Sequence, residues 1–392
     1  MYRLHGGLSG SPVLKVELMC GLRVVVKLVG GHEWMLSPAQ VKDGWQKGPS
    51  YNAAVDAFQR MQEWLTNQDG HSQGLRDCLY IPKFFRCGNE PGSDYLHPTK
   101  QGQHVLLMEC IDGKLNVADA LRMRREQQVL GHDPPDALRL RDIRASMASA
   151  LGLLHRAAKA VAAASPPGLL RLDSAHLLGK YLADLRHTLH HDNSSLQERL
   201  GETHYRLLCD DVLSEDHGLP VVLRDRIVKI EALPKSTVHN DFQAKNMLID
   251  ARTREITVID VDTAVEQTRL WDLVFLLVGS DEMRFVTAAS PLESPSQLLD
   301  DWRDSVAHYA RSCGPGGAFT RGGDGSDEVH LAPNVLQIRV AHIMVHFMHR
   351  SNVSRGEEGH EATRLFKLAI EVWIWVFRQK DQIRKIILDA PF

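Results

Sequence analysis

The chain has 392 residues, a formal net charge of −3 and an apolar fraction of 43%. This length allows two or three domains with substantial cores, and the slightly acidic balance argues against a nucleic-acid-binding surface. The six cysteines show no paired close spacing and no leader or 18-residue apolar run is found, so we expect a cytoplasmic protein without disulfides or membrane contact.

A turn rich in glycine and serine lies between two short β-like runs, Met1–His5 and Val13–Met19. Glycines let backbone N–H groups approach phosphate oxygens, and small hydroxyls add hydrogen-bond donors. β-Hairpins use the same residues, so the turn alone is weak evidence for an anion site. The candidate anion-binding residues are Gly7, Ser9, Gly10 and Ser11.

The next predicted strand, Leu22–Leu28, carries a single lysine, Lys27, within a run of β-branched residues. A charge at such a position is costly unless a phosphate or a carboxylate meets it. A lysine that only protects a sheet edge from aggregation is the alternative. The glycine-rich turn before the strand favours the phosphate-binding interpretation.

Beyond Lys27 the chain alternates strand and helix patterns, then becomes mainly helical. Up to residue 233 the predicted elements are a helix over Tyr51–Asn67, strands over Tyr80–Phe85 and His104–Met108, helices over Val117–Gln127 and Leu140–Ala164, and two or three amphipathic helices between Leu169 and Leu233. The sequence Pro166-Pro167-Gly168 ends the long helix.

The most informative segment runs from Val238 to Asp250 and continues into an apolar run that ends at Asp260. Its pattern predicts a strand, a polar turn and two further strands. Asp241 precedes Asn246 by five residues, and Asp260 follows on the last strand. One carboxylate can orient or deprotonate an acceptor hydroxyl, while the amide and the second carboxylate hold metal ions that bridge phosphates. A chance surface hairpin is the alternative, and the number of features in the correct order argues against it.

These motifs resemble those of the protein-kinase-like fold and, within it, the aminoglycoside phosphotransferase and choline kinase superfamily. The resemblance rests on the pattern His239-x-Asp241-x4-Asn246 and on Ile259-Asp260. It implies that Asp241 is the catalytic base or orienter and that His239 supports the catalytic loop by hydrogen bonding. It also implies that Asn246 and Asp260 are magnesium ligands.

The same resemblance implies an α+β, bilobal fold. A small N-lobe with an antiparallel sheet is expected over residues 1–107, and a large, mainly helical C-lobe over residues 108–392. The C-lobe is expected to carry a helical insertion at about 169–233, of the kind that shapes acceptor pockets in this superfamily.

The resemblance further implies ATP as the phosphate donor. Lys27 would hold its α- and β-phosphates, and backbone groups of Glu109 and Ile111 would contact the adenine edge. The remaining candidates for cofactor binding are Gly7, Ser9, Gly10, Ser11, Leu248 and Ile259. Lys27 is expected to pair with an acid on the following helix, and four alternatives stay open with a preference for the first: Asp43, Asp56, Glu63 and Glu33.

The link from Asp260 to Asp272 is short, about a dozen residues. Protein kinases place a long activation segment and an Ala-Pro-Glu motif in this interval, and neither is present. The short link resembles small-molecule kinases, with Asp272 in a structural role at the start of a helix. Asn240 resembles the asparagine that choline kinases have between the histidine and the aspartate of this motif, whereas many aminoglycoside enzymes have glycine there.

Two features concern the acceptor and a metal. Between Asp250 and His330 the sequence has fifteen acidic residues, seven arginines and no lysine. This negative balance favours a cationic acceptor, although a solvated acidic surface explains it equally well. His342, His346 and His349 share one helix face, where the apolar residues between them favour a buried bundle helix over a zinc site.

We therefore expect a phosphotransferase that uses ATP and magnesium and acts on a hydroxyl of a small, cationic molecule. A protein kinase, a nucleotidyltransferase and a nucleotide-sensing or scaffolding module of a multi-protein bacterial system are the alternatives. No nucleic-acid or membrane partner is expected. Because Met1 lies almost at the glycine-rich turn, a protein partner or an upstream segment that completes the N-lobe stays open.

Overall fold

The computed structural model describes residues 2–4, 13–29, 47–67, 78–88, 94–98, 104–129, 138–162, 169–277, 292, 295–314, 319 and 327–391. The chain divides into two compact units. The first comprises Met1–Arg171 and Ser236–Glu266, and the second comprises Leu172–Lys235 and Gln267–Phe392. The lobe boundary expected at residue 107 does not coincide with the boundaries of these two units, and it stays a prediction.

The strands belong almost entirely to the first unit. They are β1 (Tyr2–Leu4), β2 (Val13–Glu17), β3 (Arg23–Val29), β4 (Leu79–Tyr80), β5 (Leu96–Pro98), β6 (His104–Glu109), β7 (Leu115–Asn116), β8 (Ser236–Val238), β9 (Met247–Ile249), β10 (Ile256–Val258) and β11 (Val265–Gln267). Strand β8 pairs with β11, whose first two residues belong to this unit.

Five strands form an antiparallel sheet in the order β1-β2-β3-β6-β5. Gly21 turns β2 into β3 with a φ of +80°, a conformation that side chains disfavour. Lys27 pairs with Leu106 in the register of β3 and β6, so both project from the same face of the sheet as Met108. Because Leu106 and Met108 are buried there, the lysine enters an apolar environment.

A second sheet has the order β4-β10-β9-β7. Strand β10 runs antiparallel to β9, and the two are joined by a turn in which Asp250 accepts hydrogen bonds from the backbone N–H groups of Arg252 and Thr253. The predicted strand, turn and strand are therefore confirmed. The strand predicted over Tyr80–Phe85 is shorter, because Pro82 has no N–H to donate to a neighbouring strand.

The helices are α1 (Lys47–Asn67), α2 (Val117–Val129), α3 (Leu140–Val161), α4 (Ser174–His191), α5 (Asn193–Arg206), α6 (Leu219–Asp225), α7 (Ile227–Glu231), α8 (Leu270–Leu277), α9 (Pro295–Cys313), α10 (Glu328–Val353), α11 (Gly356–Arg378) and α12 (Lys380–Leu388). The small antiparallel sheet near the N-terminus and the helical C-terminal part confirm the expected α+β fold class. No helix in the described part of the chain is both long and apolar enough to cross a membrane.

Helix α1 supplies the core of the first unit. It packs on α3 and on the turn Val261–Thr263. Val55, Phe58 and Met61 are fully buried and recur at the spacing of one helix face. The helix therefore presses directly against the segment that follows Asp260.

The second unit is a helical bundle in which α10 packs along α11. Trp373 and Trp375 are buried and belong to its core. His342 contacts the hydroxyl of Tyr181 through its Nδ1 atom, whereas His349 lies 3.6 Å from a carboxylate oxygen of Asp184. The described residues contain no cluster of three or more metal-ligating side chains. Asp272 lies in the first turn of α8 and is fully buried.

Candidate active site

The loop between β8 and β9 carries Asp241. At its start, Asn240 adopts the left-handed conformation with a φ of 66°. Asparagine tolerates this conformation better than most residues with a side chain. Its Nδ2 atom donates to the carbonyl oxygen of Thr263 at 3.2 Å, and the Thr263 hydroxyl donates to the carbonyl oxygen of His239 at 3.0 Å. The loop is thereby tied to the turn that follows Asp260.

Two side-chain amides fix the carboxylate of Asp241. Its Oδ2 atom accepts a hydrogen bond of 2.7 Å from Gln243 Nε2 and one of 2.8 Å from Asn246 Nδ2. Gln243 is buried, with 2% of its surface exposed, while Asp241 is half-buried. The hydrogen bonds of the described residues leave the Oδ1 atom of Asp241 unused. One carboxylate oxygen is thus held in place and the other can meet a hydroxyl group.

Gln243 was absent from the sequence-based candidates. The signal available in the sequence was its position two residues after Asp241, from which a side chain in a tight turn can fold back onto the aspartate.

Asn246 presents an oxygen atom to the site. Its Nδ2 atom donates both to the carboxylate and, at 2.9 Å, to the carbonyl oxygen of Asp241, which identifies this atom as the nitrogen. The Oδ1 atom is therefore the one left to act as a ligand.

The hairpin of β9 and β10 brings Asn246 and Asp260 to the same end. The N–H of Ile259 donates to the carbonyl oxygen of Asn246 at 2.9 Å, so Ile259 faces Asn246 across the hairpin. Asp260 is the next residue along the chain. An amide oxygen and a carboxylate are ligands that Mg²⁺ accepts, usually together with waters and substrate phosphates. The donor set at this end of the hairpin therefore fits a divalent cation.

His239 links the catalytic loop to the strand that leads to Asp260. It is fully buried, with its ring against Phe58 and Phe242. The Nδ1 atom accepts from the N–H of Asp241 at 3.3 Å, so the Nε2 atom carries the proton and donates to the carbonyl oxygen of Ile259 at 3.0 Å. A neutral imidazole satisfies both neighbours.

Lys27 pairs with two carboxylates of the turn after β10. Its Nζ atom contacts Asp260 and lies 2.8 and 2.9 Å from the two carboxylate oxygens of Asp262. The side chain of Asp262 is 3% exposed, whereas that of Asp260 is 22% exposed. Burial alone would lower the pKa of Lys27, but the charges of Asp262 and Asp260 outweigh it and raise the pKa.

The two carboxylates of this turn titrate differently. Burial raises the pKa of Asp262 to about 6, with the neighbouring Asp260 adding to the increase against the attraction of Lys27. Burial alone would raise the pKa of Asp260, but the charge and the hydrogen bond of Lys27 outweigh burial and lower this pKa. Asp260 also has a left-handed backbone, with a φ of 62°. Strain of this kind is common at functional sites.

The four acids considered as partners of Lys27 did not include Asp262. Of these four, Glu33 and Asp43 lie outside the described residues. Asp56 instead binds Arg60 at 2.7 Å and Arg86 at 2.6 Å, and Glu63 is exposed. Neither Asp56 nor Glu63 of α1 therefore has a contact with Lys27 among the described residues, where its carboxylate partners are Asp260 and Asp262.

The residues expected at the nucleotide base lie at the end of β6 and on the β9–β10 hairpin. The N–H of Glu109 is engaged by the carbonyl oxygen of Lys83 at 2.8 Å, and its carboxylate accepts from the Tyr80 hydroxyl at 2.6 Å. Ile111 follows the strand and is half-buried, as are Leu248 and Ile259. The glycine-rich turn with Gly7, Ser9, Gly10 and Ser11 lies outside the described residues.

The fold is similar to that of several solved kinases. An aminoglycoside phosphotransferase from Alicyclobacillus acidocaldarius subsp. acidocaldarius DSM 446 is 14% identical, with a TM-score of 0.54 and coverage of 98% of this chain and 93% of that chain. A microcompartment-associated aminopropanol kinase is 16% identical, with a TM-score of 0.50 and coverage of 97% and 93%. The amicoumacin kinase hAmiN, solved with AMP-PNP and Ca²⁺, is 13% identical, with a TM-score of 0.51 and coverage of 96% and 91%.

At these identities the solved structures establish the fold alone. No curated protein sequence matches the chain. The family model of the phosphotransferase enzyme family matches residues 24–310, which is more than half of the chain and includes Lys27, Asp241 and Asp260. The chain therefore belongs to the phosphotransferase enzyme family.

Proposed function

We propose that the protein transfers the γ-phosphate of ATP, as a magnesium complex, to a hydroxyl group of a small molecule. The observation that carries this proposal is the arrangement of Asp241, whose Oδ2 atom is held by Gln243 and Asn246 while Oδ1 is left for a substrate. Asp260 lies at the same end of the β9–β10 hairpin as Asn246.

Each residue then has a chemical task. The free oxygen of Asp241 accepts the proton of the acceptor hydroxyl as the hydroxyl oxygen attacks the γ-phosphorus, and the bond between the γ-phosphorus and the bridging oxygen of ATP breaks to release ADP. Asn246 Oδ1 and the carboxylate of Asp260 would hold the cation, which neutralises phosphate charge when it is bound. The ammonium group of Lys27 is within reach of Asp260 and is thus suited to contact phosphate oxygens. His239 fixes the relative position of the catalytic loop and the Asp260 strand through its two hydrogen bonds.

The acceptor is proposed to be a small amine-bearing alcohol. Support comes from the short link between Asp260 and Asp272, which leaves no extended segment on which a peptide could bind. The names of two similar structures, an aminopropanol kinase and an aminoglycoside phosphotransferase, also describe small acceptors that contain amino groups.

Product analysis tests this function directly. The purified protein is incubated with γ-labelled ATP, magnesium and a panel of amino alcohols and aminoglycosides, and the label is followed into each acceptor. The Asp241→Asn variant serves as the matched control, because it retains size and polarity but lacks the base. Transfer to at least one amino alcohol or aminoglycoside, absent in the control, supports the proposal. Transfer of label only to a folded protein would overturn it, as would transfer of the AMP portion in a parallel assay with α-labelled ATP.

A further inference from the structure

The second carboxylate of the turn after β10, Asp262, has no task in the proposed function. Both of its oxygens lie within 2.9 Å of Lys27 Nζ, and only 3% of its side chain is exposed. Asp260, in contrast, has 22% of its side chain exposed and contacts the lysine through one oxygen. A metal that arrives with a nucleotide must reach its ligand from solvent, so the exposure of the two carboxylates assigns the metal to Asp260 and not to Asp262.

The backbone around Asp262 is held from two sides. Residues Val261–Thr263 form a 3₁₀ turn that is closed by a hydrogen bond of 3.1 Å from Ala264 N–H to the Val261 carbonyl oxygen. Helix α1 packs on this turn, and Val261 is buried. The position of the Asp262 carboxylate is therefore set by the fold and does not depend on a bound nucleotide.

The hydroxyl of Tyr51, on α1, is buried near the same carboxylate. Among the described residues it has no hydrogen bond of acceptable geometry, yet it lies within the electrostatic reach of Asp262 and Asp260. Burial first, and then these two negative charges, raise the pKa of Tyr51 well above its ordinary value.

The hydrogen-bonding capacity of Lys27 explains why two carboxylates are useful. An ammonium group has three N–H donors. Two of them suit the two oxygens of Asp262, and the third is directed to Asp260. When a cation engages Asp260, the third donor becomes available to a phosphate oxygen, while Asp262 still compensates the buried charge of the lysine. A buried cation that lost both partners would be strongly unfavourable.

We propose that Asp262 is the positioning residue for Lys27. In this chain the buried counterion of the phosphate-binding lysine thus comes from the turn after the metal-binding strand. This inference rests on the proposed function, because it assumes that Lys27 contacts nucleotide phosphates.

Direct binding of AMP-PNP, measured by calorimetry with and without magnesium, tests the proposal. Asp262→Asn should weaken binding about 10- to 100-fold in both conditions, as expected for the loss of a charge-assisted contact. The matched control, Asp260→Asn, should weaken binding mainly when magnesium is present. Asp262→Glu should restore part of the affinity.

A double-mutant cycle separates positioning from a general structural effect. If Asp262 acts through Lys27, then Asp262→Asn should have no further effect on AMP-PNP affinity in a Lys27→Met background. Thermal unfolding of each variant shows whether the fold is retained, and the cycle compares only folded proteins. Wild-type affinity in Asp262→Asn would overturn the proposal, as would a loss of affinity that requires magnesium, which would make Asp262 a metal ligand. Wild-type protein that binds no adenine nucleotide would overturn the proposed function itself, and this inference with it.

Discussion

The side-chain amide of Gln243 lies 2.7 Å from the Oδ2 atom of Asp241 and is almost completely buried. This contact, together with that of Asn246, fixes the rotation of the carboxylate through its Oδ2 atom. Orientation of this kind reduces the number of unproductive arrangements that the acceptor hydroxyl meets.

Replacement of Gln243 by leucine, which retains bulk but removes the amide, should lower kcat. We expect a loss of about tenfold, which corresponds to about 1.4 kcal/mol and is close to the net contribution of one hydrogen bond. The Michaelis constant for ATP should stay unchanged, because Gln243 contacts Asp241, the proposed base, and has no proposed role in nucleotide binding. Steady-state kinetics measures both constants, and an unchanged kcat would show that the contact has no role in orientation.

Asp241→Asn should separate binding from chemistry. Nucleotide should bind as in the wild type, while phosphoryl transfer falls by about 10²–10⁴-fold, the usual range for removal of an acid–base group. Single-turnover assays at saturating ATP provide the rate, and calorimetry provides the affinity. Transfer at the wild-type rate would contradict the assignment of Asp241.

Asp260→Asn should weaken both nucleotide binding and turnover in the presence of magnesium, because a neutral amide replaces a charged ligand. Since Asp260 also contacts Lys27, the variant should shift the lysine entirely to Asp262. A thermal-shift titration with magnesium and ATP measures the effect as a smaller ligand-induced increase in Tm. Stabilisation equal to that of the wild type would show that Asp260 is not a metal ligand.

The buried ion pair between Arg269 and Glu328 should stabilise the second unit. The guanidinium Nε and Nη2 atoms donate to the two carboxylate oxygens at 2.8 and 2.7 Å, and the side chain of Glu328 is 2% exposed. Arg269→Met should cost about 3–5 kcal/mol in the free energy of unfolding, because it removes the guanidinium group that accompanies a buried carboxylate. Chemical denaturation measures this value. The exposed pair of Arg303 and Asp300 provides the control, and Arg303→Met should change stability by at most about 1 kcal/mol.

Stability should depend on the protonation of His342. Burial lowers the pKa of its imidazole well below the usual value, and the charges of Arg339, His346 and Lys180 add to the decrease. The unfolded chain, with a histidine pKa of about 6.5, therefore binds the proton more readily than the folded chain. Above that pH the contribution of His342 to the free energy of unfolding is fully present. At lower pH this contribution should decrease by about 1.4 kcal/mol per pH unit.

Urea denaturation of the His342→Gln variant at a series of pH values isolates this contribution. The difference between variant and wild type should shrink as the pH falls from 7 to 5, because only the wild type loses the histidine contribution. A constant difference between His342→Gln and wild type across this range would contradict the prediction.

Residues close together in sequence were the most predictable part of the site. Asp241, Asn246 and Asp260 fall on one hairpin whose strands and polar turns have clear local signals, and the family and the α+β fold follow from them. The role of each residue stays a prediction for the variants above.

The contacts of Lys27 and Gln243 were not predictable in the same way. The partner of Lys27 is 235 residues away, and its position depends on the left-handed backbone of Asp260. The contact of Gln243 depends on how a short loop folds back, which residue type alone does not specify. Four acids on or near the following helix fitted the sequence, with a preference for Asp43, whereas the described contact is made by Asp262, in the turn on which α1 packs.

The left-handed backbone of Asn240 also bears on how this family can diverge. A glycine at this position would relieve the conformational cost but lose the hydrogen bond to Thr263, whereas asparagine retains the hydrogen bond and bears the cost. The two effects oppose each other, so exchange between asparagine and glycine should be nearly neutral during evolution. The residue at position 240 consequently reports the shape of the loop, and it carries little information about which acceptor the enzyme uses.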